Sequence, residues 1–169
     1  MKQSTDPDRP EAGIVRIKPH HFVDILTAFG DGRKEFRAHP YGHALHLVAE
    51  RILSADDTPL LIDLGADDIC RPCRHNLDGL CDDIIDVSFR PGAPESKSEY
   101  NLIIDRRWCE RLGLEPGERI TAQELSRRIL DRAGDLTPIY CETPAGRTAE
   151  RAAKLFKGVK QFLNGERIG

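Results

Sequence analysis

Seventeen residues, Asp67 to Asp83, constrain this chain more than any others. They contain Cys70, Cys73 and Cys81, three of its five cysteines, within twelve positions. Cys70 and Cys73 form a C-x2-C pair. A tight turn of that kind brings both sulfurs to one side, with backbone N–H groups pointing at them. Gly79 lets the chain fold back so that Cys81 arrives as a third sulfur. Whatever else the chain builds must leave room for this loop to close on itself.

The loop is also acidic, with Asp67, Asp68, Asp78, Asp82 and Asp83 around the thiols. Adding thiolates there is unfavourable unless a cation offsets them, which favours a metal over a free redox dithiol. The plain alternative is a set of reduced, buried cysteines. The spacing argues against it, because three sulfurs so close in sequence suggest a shared ligand. A fourth ligand must come from elsewhere. Cys109 is the leading sulfur candidate, and Cys141 lies farther off. Asp24, His20, His21 and His75 are the non-sulfur candidates. Four cysteines suit an iron–sulfur cluster, with a 4Fe-4S centre first in mind, or an all-cysteine zinc site. Three cysteines with His75 would suit a zinc knuckle.

Length and charge narrow the rest. A chain of 169 residues is one domain in size and buries roughly 70% of its unfolded surface, so no metal is needed for a core. Charged residues are 31% and the net charge is −3, so a sequence-independent nucleic-acid binder is not expected. No apolar run reaches the ~20 residues of a membrane span, and Met1 to Gly13 has no signal-peptide segment. The expected setting is the cytoplasm, where clustered cysteines are more often ligands than disulfides.

Hydrophobic spacing predicts a mixed, helix-rich α/β fold with a small sheet and about five helices. Met1 to Gly13 reads as a flexible tail, and Ile14 to Gly169 as one metal-binding domain. Ile14 to Lys18 reads as a strand. Pro19 opens a helix from His20 to Phe29, with Phe22, Ile25, Leu26 and Phe29 inward and His20, Asp24 and Thr27 opposite. Gly30 is expected as its left-handed cap. A second helix is expected from Pro40 to Ser54, which would put His43, His46 and Glu50 on one face. Leu60 to Leu64 reads as a strand that delivers the cysteine loop. Ile84 to Phe89 is expected to be extended, and Ser98 to Leu112 helical. Thr121-Ala122-Gln123-Glu124 is a capping box. Thr137 to Cys141 is expected as a strand, and Thr148 to Leu163 as a final amphipathic helix.

Beyond the thiols, His20, His21 and Asp24 are the candidate catalytic residues. His20 and Asp24 lie one turn apart, so the carboxylate could orient the imidazole or both could bind a metal. The His39, His43, His46 and Glu50 set reads first as a wet helix face, and second as a pocket wall. Arg106, Arg107 and Arg111 beside Cys109 could offset cluster charge, though a solvated face is the simpler reading. No nucleophile elbow, Walker loop, kinase motif or C-x3-C-x2-C spacing occurs.

Lys18-Pro19-His20-His21-Phe22, a glycine-rich turn, and Asp67-Asp68-Ile69-Cys70-Arg71-Pro72-Cys73 with Gly79-Leu80-Cys81 together resemble domain-of-unknown-function family 1284. That family comprises small bacterial and archaeal proteins suspected of binding an iron–sulfur cluster. The resemblance spans roughly Ile14 to Leu130. It implies a role for His20, His21, Cys70, Cys73 and Cys81, and supplies no reaction. One departure stands out. Many members carry a cysteine three residues after the second histidine, where this chain has Asp24. A site of this class would use Asp24 itself, bring in Cys109, or leave one iron open as a Lewis acid. The expectation is therefore an iron–sulfur protein held by a C-x2-C-x7-C loop, with redox, structural and Lewis-acid roles all open. The alternative is a structural or hydrolytic zinc protein with His20 and Asp24 near the metal. A small molecule or a redox partner is implied in either case, and no residue names it.

Overall fold

The structure is a computed structural model that describes residues 12–169. The tail expected from Met1 to Gly13 thus lies outside the described residues, except for a turn at Ala12 and Gly13. In chain order the elements are β1 (Val15–Ile17), α1 (Pro19–Gly30), α2 (Leu45–Ser54), β2 (Pro59–Ile62), β3 (Asn76–Leu77) and β4 (Leu80–Cys81). They continue with α3 (Lys97–Leu112), β5 (Arg119–Thr121), α4 (Ala122–Arg132) and α5 (Ala145–Leu163). This is the helix-rich α/β arrangement that the spacing predicts.

The sheet is small and mixed. Strand β2 is central, parallel to β1 with Arg16 opposite Leu61, and antiparallel to β5 with Leu60 opposite Ile120. Side chains alternate along it, so Val15, Ile17, Leu60, Ile62 and Ile120 all point into one core. The β5 strand escapes sequence reading because it is three residues long and runs straight into the Thr121 capping box, both arms of which form.

Helix α1 is the central helix. Pro19 sits in its first turn, where a missing N–H costs nothing, and Phe22, Ile25, Leu26 and Phe29 are fully buried as expected. The opposite face is packed as well. His20 is buried against Asp105 of α3, and Asp24 pairs with Arg151 of α5 at 2.8 Å. Helix α1 therefore lies between two other helices, so its polar residues serve as bridges.

Gly30 is not the expected left-handed cap. It stays in the helix, and Gly32 takes the positive φ of +91°. Gly30 instead lets α5 come close. A Cβ on Gly30 would lie 1.9 Å from the Lys154 carbonyl oxygen, and one on Gly158 would lie 1.9 Å from that of Leu26. Two backbones meet here, each through the other's glycine.

Three further expectations need correction. The second helix begins at Leu45 rather than Pro40, because residues 40–44 clamp the cysteine loop. The Ala44 N–H donates to the Ile69 carbonyl, and the Tyr41 carbonyl accepts from Arg74. Gly42 makes the necessary turn with φ +75°. His43 and His39 consequently lie outside α2, and the expected His43, His46 and Glu50 helix face does not form. Residues 137–141 form turns and not a strand. Tyr140 is fixed there by accepting a hydrogen bond from the Trp108 indole at 3.0 Å. Ile84 to Phe89 holds one bridge, Ile84 to Ser96, and no regular strand.

The glycine crossing gives a test. Gly158→Ala must push α1 and α5 apart along rigid backbone, so it should cost about 1–3 kcal/mol or more despite alanine's better helix propensity. Urea denaturation should show a lower midpoint. An unchanged or raised midpoint would mean the crossing is not as tight as drawn.

Candidate metal centre

The site starts from one carboxylate. Asp67 is fully buried, and its two oxygens accept four hydrogen bonds. Oδ2 accepts from the Lys18 backbone N–H at 2.8 Å and from His21 Nδ1 at 2.6 Å. Oδ1 accepts from the backbone N–H groups of Ile69 at 3.2 Å and Cys70 at 3.0 Å. Burial alone would raise its pKa. The His21 ring, by charge and hydrogen bond, and the Lys18 N–H outweigh burial and hold the carboxyl far below the usual range. Next to it, Asp68 continues β1 by exchanging hydrogen bonds with the Arg16 backbone. The cysteine loop is thus tied to the end of β1 and the first turn of α1.

From there the loop shapes itself locally. The Asp67 and Cys70 carbonyls accept from Arg71 and Cys73, which tightens the C-x2-C turn. Strands β3 and β4 then form a hairpin with Asn76 opposite Cys81. Asp78 and Gly79 occupy its tip, with φ of +51° and +88°. A two-residue turn with both φ positive matches strand twist, and Asp-Gly is among the pairs that tolerate it best. The turn returns Cys81 toward Cys73.

The three sulfurs then line one cleft of about 270 Å³, together with His20, His21 and Asp24. Its remaining wall includes Lys18, Tyr41, His43, His75 and Asn101. The fold therefore brings together six of the seven candidate site residues that the sequence suggests. Cys109 is the exception. It does not line this cleft, although Asn101 of the same helix does, and eight residues of helix span about 12 Å. Cys109 is buried toward the far end of α3. Burial, with Asp105 and Glu115 nearby, pushes its thiol up to about 11. Arg106, Arg107 and Arg111 do not serve the cleft either. Arg107 grips Glu142 through two hydrogen bonds of 2.8 Å, and Arg111 donates to the Ala133 and Asp135 carbonyls. Both brace α3 against the turns after α4. Arg106 is exposed.

Three imidazoles at the cleft share one arrangement. Nδ1 of His20 bonds Asp105 at 2.8 Å, Nδ1 of His21 bonds Asp67 at 2.6 Å, and Nδ1 of His75 bonds Asp82 at 2.8 Å. A carboxylate that accepts from Nδ1–H leaves the Nε2 lone pair of a neutral ring free, as in many metal-binding histidines. His75 Nε2 is buried and has no hydrogen-bond partner. His20 differs. Burial would lower its pKa, but the Asp105 carboxylate overrides that and raises it, favouring the charged ring. His20 is therefore better suited to holding charge than to ligating a metal.

Among the described residues, His21, Asp67 and Cys70 form the one trio whose ligand atoms all lie within 4.8 Å of one another. Because the four bonds of Asp67 go to Lys18, His21, Ile69 and Cys70, it orients the other two and is not itself free to ligate. The three sulfurs do not form such a group. The Cys70 thiol is pushed up to about 12, first by burial and then by Asp67, while Lys18 Nζ at 3.6 Å from the sulfur works against this. Burial and Asp67 thus disfavour a thiolate at Cys70 unless a cation offsets its charge.

Sequence reading gave no site role to Asp105, Lys18 or Tyr41, and it counted Asp67 and Asp82 only as part of the acidic surroundings. The one available signal for Asp67 was the Asp-x2-Cys spacing, which lets a carboxylate bond the N–H of the cysteine. His39 and His43 stack at 4.7 Å outside any helix, and His43 alone of that set enters the cleft. No family model matches the chain, and neither the curated proteins nor the solved structures give a match.

Removing the carboxylate at the root of the site should be costly. Asp67→Ala leaves three backbone N–H groups buried without an acceptor and His21 without its orienting partner. A loss of about 3–5 kcal/mol is expected in urea denaturation. Asp82→Ala, at a half-exposed carboxylate, should cost less than about 1 kcal/mol. Equal losses would remove Asp67 from its central role.

Proposed function

We propose that this protein is a metal-binding protein of the cytoplasm whose centre is an iron–sulfur cluster held by Cys70, Cys73 and Cys81. The observation that carries the reading is the convergence of these sulfurs on one cleft beside His75, whose Nε2 is buried without a partner. The spread of the sulfurs also supports it. Two thiolates on one tetrahedral zinc at about 2.3 Å sit about 3.8 Å apart. The three cysteines do not gather within 4.8 Å, and a multi-atom cluster tolerates a wider set better than a single ion does.

With Cys109 outside the cleft, the fourth position falls to Asp24, His75 or a bound molecule. Such a cluster supplies one-electron transfer or, at an iron without a protein ligand, Lewis acidity. The chain's own part is clearer. Asp67 and Asp82 hold His21 and His75 in fixed orientations. The Lys18 ammonium and the His20 ring favoured as a cation by Asp105 offset the negative charge of three thiolates. A redox or structural role and a role on a small-molecule substrate are both compatible with this set. The second reading is a single zinc ion, and the close His21 and Cys70 pair favours it.

Anaerobic purification and reconstitution decide between them. A brown protein with broad visible absorption and stoichiometric iron and sulfide is expected, with the colour lost in Cys73→Ser and in Cys81→Ser. Cys109→Ser should keep it. A colourless protein that retains only zinc would replace the first reading by the second.

A further inference from the structure

A second, larger cavity lies against the metal cleft. It is an open groove of about 730 Å³, and Asp24 and Leu45 line both spaces. Its volume is within the range typical of small-molecule sites. Arg33, Arg90, Arg147, Arg151 and Lys154 line it, against Asp24, Asp31 and Glu150. Five cations against three anions is an unusual balance for a chain whose net charge is −3.

Ion pairs consume only part of that charge. Arg151 is paired with Asp24 at 2.8 Å and Lys154 with Asp31 at 3.2 Å. Arg33, Arg90 and Arg147 make no carboxylate ion pair among the described residues. Asp86 feels the charge of Arg90 and Arg147, but its side chain accepts from Ser88, and Arg90 Nε donates to the Asp86 carbonyl. The three guanidinium groups rest on aromatic rings instead. Arg147 lies over Phe89 at 4.1 Å, Arg90 over the same ring at 4.6 Å, and Arg33 over Phe36 at 5.4 Å. Stacking fixes a guanidinium plane while leaving N–H groups for an incoming acceptor, at Arg90 those of the two terminal nitrogens. Ile25, Phe36, Leu45 and Phe89 give the groove apolar wall as well.

We propose that this groove binds a small organic anion, with its phosphate or carboxylate group held by Arg90 and Arg147 and its apolar body against Phe36, Phe89 and Leu45. Planar, forked donors suit either oxyanion, and the rings suit a ligand with an aromatic or branched apolar part. Because Asp24 is common to both spaces, such a ligand would lie beside the metal centre. Its role as a substrate there rests on the metal-centre reading, whereas its binding does not.

Calorimetric titration of the whole chain with phenyl phosphate, phenylacetate and benzyl alcohol tests this. Binding of one or both anions, without binding of the neutral alcohol, is expected, and the anion that binds assigns the headgroup. Arg90→Gln and Arg147→Gln should each weaken binding about tenfold or more. Added salt should weaken it in the unaltered protein, a readout that stands even if a variant fails to fold. Binding should persist in Cys73→Ser, so loss of the metal centre and failure of the groove remain distinguishable. The proposal is overturned if neither anion binds at millimolar concentration, if the alcohol binds as tightly as the anions, if salt has no effect, or if both folded arginine variants bind like the parent.

Discussion

The buried Asp67 carboxylate holds three parts of the chain in register. Its four hydrogen bonds join the end of β1, the first turn of α1 and the start of the cysteine loop. A carboxylate removed from water costs several kcal/mol unless its lone pairs are filled, and here they are. That requirement acts as a geometric constraint. Lys18, His21, Ile69 and Cys70 can meet the same two oxygens in only one arrangement of loop and helix. The cleft is a consequence of that arrangement.

Helix α1 then couples the cleft to the rest of the molecule. Its first turn carries His20 and His21, its middle carries Asp24, and its last residue, Gly30, meets α5 backbone to backbone. Between these, Asp24 ties α1 to Arg151 of α5, and His20 ties it to Asp105 of α3. The residues on the polar side of its helical projection are the ones that fix the helix in place. The same short stretch of α1 forms the wall between the cysteine-lined cleft and the arginine groove.

Much of this was legible in the sequence, and the reasons are local. The apolar spacing of Phe22, Ile25, Leu26 and Phe29 marks a helix because burial of one face dominates its energetics. The cysteine loop was legible because its sulfurs are twelve positions apart or fewer and its Asp78-Gly79 turn is encoded by two residues. What stayed hidden depends on tertiary partners. Nothing in the chain near His20 signals Asp105, which lies 85 residues away. The late start of α2 follows from hydrogen bonds to Ile69 and Arg74, and the turns at residues 137–141 from the Trp108 bond to Tyr140. Gly30 reads as a helix stop when only its own neighbours are considered, and as a contact point once Lys154 is opposite. Cys109 was drawn toward the site by its sulfur and its inward helix face, but it lies farther along α3 and does not line the cleft.

The hairpin that returns Cys81 is made entirely from residues near it in sequence, while His20, His21 and Asp24 come from some fifty positions upstream. The three thiols are therefore close neighbours even in an unfolded chain. A metal that they alone capture binds folded and unfolded molecules with similar strength, and such a ligand adds little to folding stability. Only the part of its affinity contributed by the distant helix is linked to the native state. If a metal binds there, loading and folding are separable events, and the loop can close on it before β1 and α1 have found their places.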